Sequence, residues 1–229
     1  MNMHTALILD TETSSLKGLP IEIAHCGIVI ENGALVYDKE NMFNQLYSIG
    51  DERIELGAMS THNIIDSDLL GMPHFSEFRL PEGVDYLIGH NIDYDINTIA
   101  LCGDQPKVKS ICTLAIARKL LPDLNTHKLT TLMYHFLRHE TARELIKNAH
   151  RASEDVYFTA ILCAKLMKIN DITSIEQLYA LSEDARIPDR MHFGKHRGTL
   201  LTELDPGYIK WLRKQDNVDL YLMKALDRL

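Results

Sequence analysis

The sequence predicts a layered fold of the α/β or α+β class with a small C-terminal appendage. Three observations point there. "TALILD" near the start is apolar on both faces, as a central strand is. Strand-like segments fill the first half, and helix-period patterns dominate from residue 95 onward. A chain of 229 residues that is 45% hydrophobic can bury one core of ~150–200 residues with a short segment left over.

The elements follow in order. After "TALILD", the run "IEIAHCGIVIENGALVYDKENMFNQLYSI" holds two or three further strands. Asn32-Gly33 supplies a type I′ turn for a hairpin between Ile28-Val29-Ile30 and Leu35-Val36-Tyr37. "DYLIGHN" (85–91) is another short strand, ending at Gly89. Helices are expected over "DINTIALC", over "TLAIARKLLP" up to Pro122, over "KLTTLMYHFL" and over "EDVYFTAILCAKLMKI". Leu129, Leu132, Met133 and Phe136 give the third of these its apolar stripe. "NDITSIEQLYALSEDARIPDR" reads as one short helix and a Pro-containing connector. The expected organisation is therefore a main domain over 1–170, a helical linker over 171–190 and a small basic module over 191–229. That module carries the only Trp and has 5 Lys/Arg in residues 195–214. No internal repeat or low-complexity tract is visible.

Composition excludes several classes. Charged residues are 24% and apolar segments recur, so the chain is not a disordered one. No apolar run approaches the ~18–20 residues of a membrane span. "MNMHTALILD" lacks the basic start and small-residue cleavage site of a secretory signal. Cys26, Cys102, Cys112 and Cys163 form no CxxC pair, which suits buried free thiols in a reducing cytoplasm and supports neither a disulfide framework nor a zinc site. No GxGxxG follows the first strand, which removes a dinucleotide-binding reading. The net charge of −8 is unevenly split. Residues 1–99 hold 4 Lys/Arg against 16 Asp/Glu, net −12, and residues 100–229 hold 20 against 16, net +4. An acidic half beside a basic half suits carboxylate-held cations next to a phosphate-binding surface, or ordinary solvated faces.

Three short constellations carry the chemistry. In "LILDTET", strand alternation puts Asp10 and Glu12 on one face and Thr11 on the other. Two such carboxylates repel unless a cation lies between them, and clustered oxygen ligands are how Mg²⁺ is held. The alternative is a solvated strand end. In "GHNIDYDINTI", Asp93 and Asp95 stand near a helix start, where acids cap the helix or bind metal. In "HRASEDVYFTA", Ser153 suits an N-cap, with Glu154 and Asp155 in the first turn. Five helical residues turn about 140° net, so His150 and Asp155 meet only if His150 lies on the preceding loop.

"DTET" (10–13), "HNIDYD" (90–95) and "HRASED" (150–155) together resemble the three motifs of the DEDD exonuclease superfamily. The HxAxxD form of the third resembles its histidine branch, the DEDDh or DnaQ-like 3′→5′ exonucleases. "SICTLAIARKLLPDL" and "FGKHRGTLLTELDPGYIKWL" extend the resemblance, toward exonuclease X-like members, over nearly the whole chain. The resemblance implies an α/β, ribonuclease H-like fold with a central mixed β-sheet flanked by helices. It implies metal ligands at Asp10, Glu12, Asp95 and Asp155, and a general base at His150. It places Leu16 against the terminal base, although Ser15 stands where relatives often carry Gly. It puts His62 on the substrate side, followed here by Asn63 where Gly is common. Thr11, Thr13, Asn91 and Tyr94 join the expected substrate contacts. In "FGKHRG", Lys195, His196 and Arg197 suit a phosphate backbone, with Tyr208 or Trp211 stacking on bases. The alternative there is a solvated turn with both aromatics packing the tail onto the main domain.

The implied activity is metal-dependent 3′→5′ exodeoxyribonuclease action on DNA 3′ ends in repair or end processing, releasing nucleoside 5′-monophosphates. Two Mg²⁺ ions are implied, with Mn²⁺ able to substitute. A histidine suits the base role because its unperturbed pKa, ~6.5, lies near working pH. Homodimerisation stays open. An exoribonuclease or proofreading subunit of the same fold, and a catalytically silent nucleic-acid scaffold, are the competing readings.

Overall fold

The computed structural model describes residues 5–38, 40–103, 105–215 and 218–229. Its strands are β1 (Thr5–Thr13), β2 (Pro20–Glu31), β3 (Ala34–Tyr37) and β4 (Phe43–Leu46). After α1 (Leu56–His62) come β5 (Val84–Gly89), α2 (Ile92–Ala100), β6 (Lys109–Cys112) and α3 (Thr113–Leu120). The rest is helical: α4 (Leu129–Phe136), α5 (His139–Leu145), α6 (Ala152–Ile169), α7 (Ile175–Arg186), α8 (Pro206–Leu212) and α9 (Leu220–Leu226).

The sheet is mixed, in the order β3-β2-β1-β5-β6, with β4 also paired to β2. β1 pairs antiparallel with β2 and parallel with β5, and β5 pairs parallel with β6. The β2–β3 hairpin turns where expected: Asn32 and Gly33 hold φ of 52° and 78°, the two positive values a type I′ turn requires. β1 is central and buried on both faces. Ala6 and Ile8 join one core with α3, α4, α6 and α7, while Leu7 and Leu9 join a second with Ile92 and Ile99 of α2. Asp10 and Glu12 continue the parity of Ala6 and Ile8, so they point toward the α6 side.

Five elements were not anticipated. β6 is only four residues long, α1, α8 and α9 are seven each, and α5 is seven with Ala142 alone fully buried. Stretches this short carry too little periodicity to register. The expected linker also proves to be a working part of the main body. Leu178 and Ala185 of α7 enter the larger core, and Ser182 Oγ accepts the Cys112 backbone N–H at 2.8 Å. The C-terminal segment has its own small core around Met191, Leu201, Leu204, Leu212, Leu222 and Leu226.

Candidate active site

β1 delivers Asp10 and Glu12, and the first turn of α6 delivers Asp155 to the same place. One carboxylate oxygen from each lies within 4.8 Å of the others. Asp95, in the first turn of α2, is 4% exposed and lies outside that group of three. Its Oδ1 accepts from Thr11 Oγ1 at 2.8 Å, and after burial its charge is what raises Asp10 most. Burial pushes all four carboxyls up, and mutual repulsion adds to it. Asp10 is raised well above the usual carboxylate range by burial and then by Asp95 and Asp155. Glu12 is pushed to about 9 by burial and then Asp155. Asp95 and Asp155 rise to about 7, chiefly through burial. In Asp155 the buried Oδ1 has no hydrogen-bond partner among the described residues. A half-buried acid with a buried, idle oxygen, beside two more that repel it, fits a divalent cation.

His150 lies on the loop just before α6, where a shared site with Asp155 requires it. It is exposed and holds φ of 66°, a costly conformation for a non-glycine residue. Ser153 does not cap α6. The helix begins at Ala152, and the first amide is satisfied from 130 positions away: Ala152 N donates to Glu22 Oε2 at 3.0 Å. Glu22 is fully buried on β2, directly opposite Glu12, and also takes Arg151 Nε at 3.1 Å and Nη2 at 2.7 Å. This fifth acid escaped sequence reasoning. Its one local signal was a lone Glu inside the apolar run "PIEIA".

The expected substrate residues divide into groups. Thr11 and Thr13 are buried and committed to the protein itself. Thr11 holds Asp95, and Thr13 donates to the Ser15 carbonyl at 2.7 Å and accepts from Tyr94 at 2.6 Å. His62 is 2% exposed, with Nδ1 accepting from Ile64 N, so its ring is packed inward rather than presented. Burial lowers its pKa. Asn63 caps α1 at φ of 58°, the left-handed position that explains Gly or Asn there. Asn91, also left-handed at φ of 85°, is exposed at the start of α2. Leu16 is 82% exposed on the loop after β1. The glycine this loop needs is Gly18, not residue 15: a Cβ there would lie 2.3 Å from Ser14 Oγ and 2.4 Å from Ser15 N. Lys195 and Arg197 are exposed on the C-terminal module. Tyr208 packs within that module's own core and stacks on the exposed Trp211, so the pair does not pack the tail onto the main domain.

A mixed sheet flanked by helices, with half-buried Asp10, Glu12 and Asp155 and buried Asp95 near the end of its central strand and a loop histidine beside them, resembles the arrangement of DEDDh-type 3′→5′ exonucleases. Among curated proteins, the chain is similar to Exodeoxyribonuclease 10 of Escherichia coli strain K12. The two are 27% identical over 212 residues, which cover 90% of this chain and 89% of that one. Among solved structures it resembles Exonuclease X in complex with 5′ overhanging duplex DNA, at 26% identity and a TM-score of 0.60. That match covers 77% of this chain and 99% of the other. The nuclease domain of 3′hExo, a DEDDh family member bound to rAMP, shares the fold at 11% identity and a TM-score of 0.51, covering 75% and 96% of the two chains. No family model matches the sequence.

Proposed function

We propose that this chain is a divalent-metal-dependent 3′→5′ exodeoxyribonuclease that acts on DNA 3′ ends in repair or end processing. The observation that carries the reading is the clustered, half-buried trio Asp10, Glu12 and Asp155 in a chain similar to Exodeoxyribonuclease 10 along nearly its whole length. Asp10, Glu12 and Asp155, with Asp95 as a fourth ligand beside Asp10, would hold two Mg²⁺ or Mn²⁺ ions. The cations would supply positive charge to the scissile phosphate and acidify the attacking water.

The chain's own residues do the rest. His150 accepts the proton of the attacking water, and its place on an exposed loop lets it move to the reacting atoms. Leu16 presents an apolar face to the terminal base. Tyr94 and Thr13 brace the strand end beneath it, and Thr11 orients Asp95 by donating to its Oδ1. The products are nucleoside 5′-monophosphates.

The test is degradation of 5′-labelled single-stranded DNA, duplex DNA and RNA with and without Mg²⁺. Wild-type protein should shorten DNA from its 3′ end, Asp10→Ala should lose both activity and Mg²⁺ affinity, and His150→Ala should be ~10²–10⁴-fold slower while still binding metal. RNA cleaved in preference to DNA would overturn the substrate assignment. A His150→Ala enzyme of normal turnover at saturating Mg²⁺ would remove the base assignment.

A further inference from the structure

A cavity of about 440 Å³ opens between α3, the loop after it, the end of α7 and the C-terminal module. Arg118 of α3, His127 of the loop, and His192 and Arg197 of the module all line it, with Leu114 and Met191 forming apolar wall. In a chain of net charge −8, this lining holds five Arg/Lys (118, 119, 186, 190 and 197) against three Asp (93, 189 and 219). Arg186 is paired to Asp93 and Lys119 to Asp184 at 2.9 Å, which leaves Arg118, Arg190 and Arg197 facing Asp189 and Asp219, the latter capping α9 by accepting from Tyr221 N and Leu222 N, each at 3.0 Å. Among the described residues neither Arg118 nor Arg197 makes a salt bridge. The cost is visible in their neighbours. His192 is pushed to about 4 by burial and by Arg118 and Arg197 against the opposing pull of Asp219, and His127 is lowered by burial and by the same two arginines. Cationic groups that disfavour one another's charge around one space form a site for an anion.

The cavity's place in the sheet says which anion. β1, β5 and β6 run parallel, so their carboxyl ends share one edge, where ligands of open α/β sheets bind. Asp10 and Glu12 stand at the β1 end of that edge. Asn91, which follows β5, and Cys112, which ends β6, line the cavity. Acidic group and cavity are thus about two strand spacings, roughly 10 Å, apart along one edge. We propose that the cavity is a phosphate subsite for the substrate strand, taking a backbone phosphodiester upstream of the bond that is cut. This rests on the exonuclease reading above. The C-terminal module then takes part in substrate binding, since it brings His192 and Arg197 to the subsite.

The test compares full-length wild-type and Arg118→Gln proteins on oligo-dT trimers and 12-mers with Mg²⁺, across a salt series. The 12-mer's advantage over the trimer in kcat/KM should shrink about tenfold in Arg118→Gln, and Arg118→Lys should recover much of it. The slope of log KM against log salt for the 12-mer should fall by roughly 0.7, the value for one phosphate contact on a single strand. An undiminished length advantage in Arg118→Gln, in protein that melts like wild type, overturns the subsite. So does inhibition by free thymidine 5′-monophosphate that Arg118→Gln relieves, because the cavity would then take the product. If wild-type protein shortens neither oligomer, the exonuclease reading is what falls. Fluorescence anisotropy of the same two oligomers on both proteins then decides the subsite by the same length comparison.

Discussion

At the scale of single residues, the crowded carboxyls make the metal-free protein sensitive to pH in an unusual direction. Unfolded, Asp10, Glu12, Asp95 and Asp155 titrate near pH 4. Folded, Asp95 and Asp155 titrate near 7, Glu12 near 9, and Asp10 is also well raised. Between those limits the native state binds more protons than the unfolded chain, so stability falls as pH rises. The stability these groups contribute is complete below about pH 4 and is lost through pH 7 to 9. A bound cation removes the penalty by pairing with the charged forms. In EDTA, Tm should therefore drop by roughly 5 °C or more between pH 5.5 and 8.5, and added Mg²⁺ should raise Tm more at 8.5 than at 5.5. Thermal melts across that range check it. A metal-free Tm that climbs with pH would show that the acids are solvated rather than crowded. Asp10→Asn should flatten the metal-free slope.

At the scale of elements, the site depends on how α6 is fastened to the sheet. Glu22 joins β2 to the start of α6 through Arg151 and the Ala152 amide, and so fixes where Asp155 points and where the His150 loop begins. Removing the carboxylate orphans a buried amide and frees the guanidinium, which costs on the order of 2–3 kcal/mol. Glu22→Ala should lower kcat with little change in KM and raise the Mg²⁺ concentration for half-maximal rate. Glu22→Gln, which still offers an oxygen to Ala152, should lose less of both. A Mg²⁺ titration of the initial rate decides this. A variant with depressed Tm but an unmoved Mg²⁺ midpoint would reduce Glu22 to ordinary packing.

The same fastening shows what the sequence could and could not disclose. Asp10 and Glu12 were legible because strand alternation is a local rule, and the His150–Asp155 geometry followed from helix pitch alone. The Asn32-Gly33 turn was legible for the same reason. Glu22 was not, because its partners lie 129 and 130 positions away. That long-range cap also explains why Ser153, a good local candidate, goes unused. Thr11 and Thr13 look like substrate contacts in a motif, yet their hydroxyls turn inward to groups 84 and 81 positions distant.

At the scale of the whole molecule, the C-terminal segment 191–229 is 39 residues long, near the ~40 below which a chain seldom holds its own core. Its seven-residue core needs an external anchor, and the structure provides one in Arg186. This side chain, 2% exposed at the end of α7, pairs with Asp93 of α2. It also reaches Ser110 Oγ of β6 at 2.8 Å and Tyr221 of α9 at 2.6 Å. One guanidinium thus fastens three elements of the main body to the module through Tyr221. The same contacts fix one wall of the cationic cavity, so module docking and phosphate binding should fail together. Arg186→Ala leaves Asp93, Ser110 and Tyr221 without their shared donor and should destabilise by on the order of 3 kcal/mol, whereas Tyr221→Phe should cost only about 1. The loss should be uneven. Hydrogen exchange should accelerate over 191–229 while β1, β2 and β5 stay protected, and the 12-mer's kinetic advantage should decline with docking of the module. If exchange instead quickened uniformly along the chain, Arg186 would be a general core residue and the module would be held by something else.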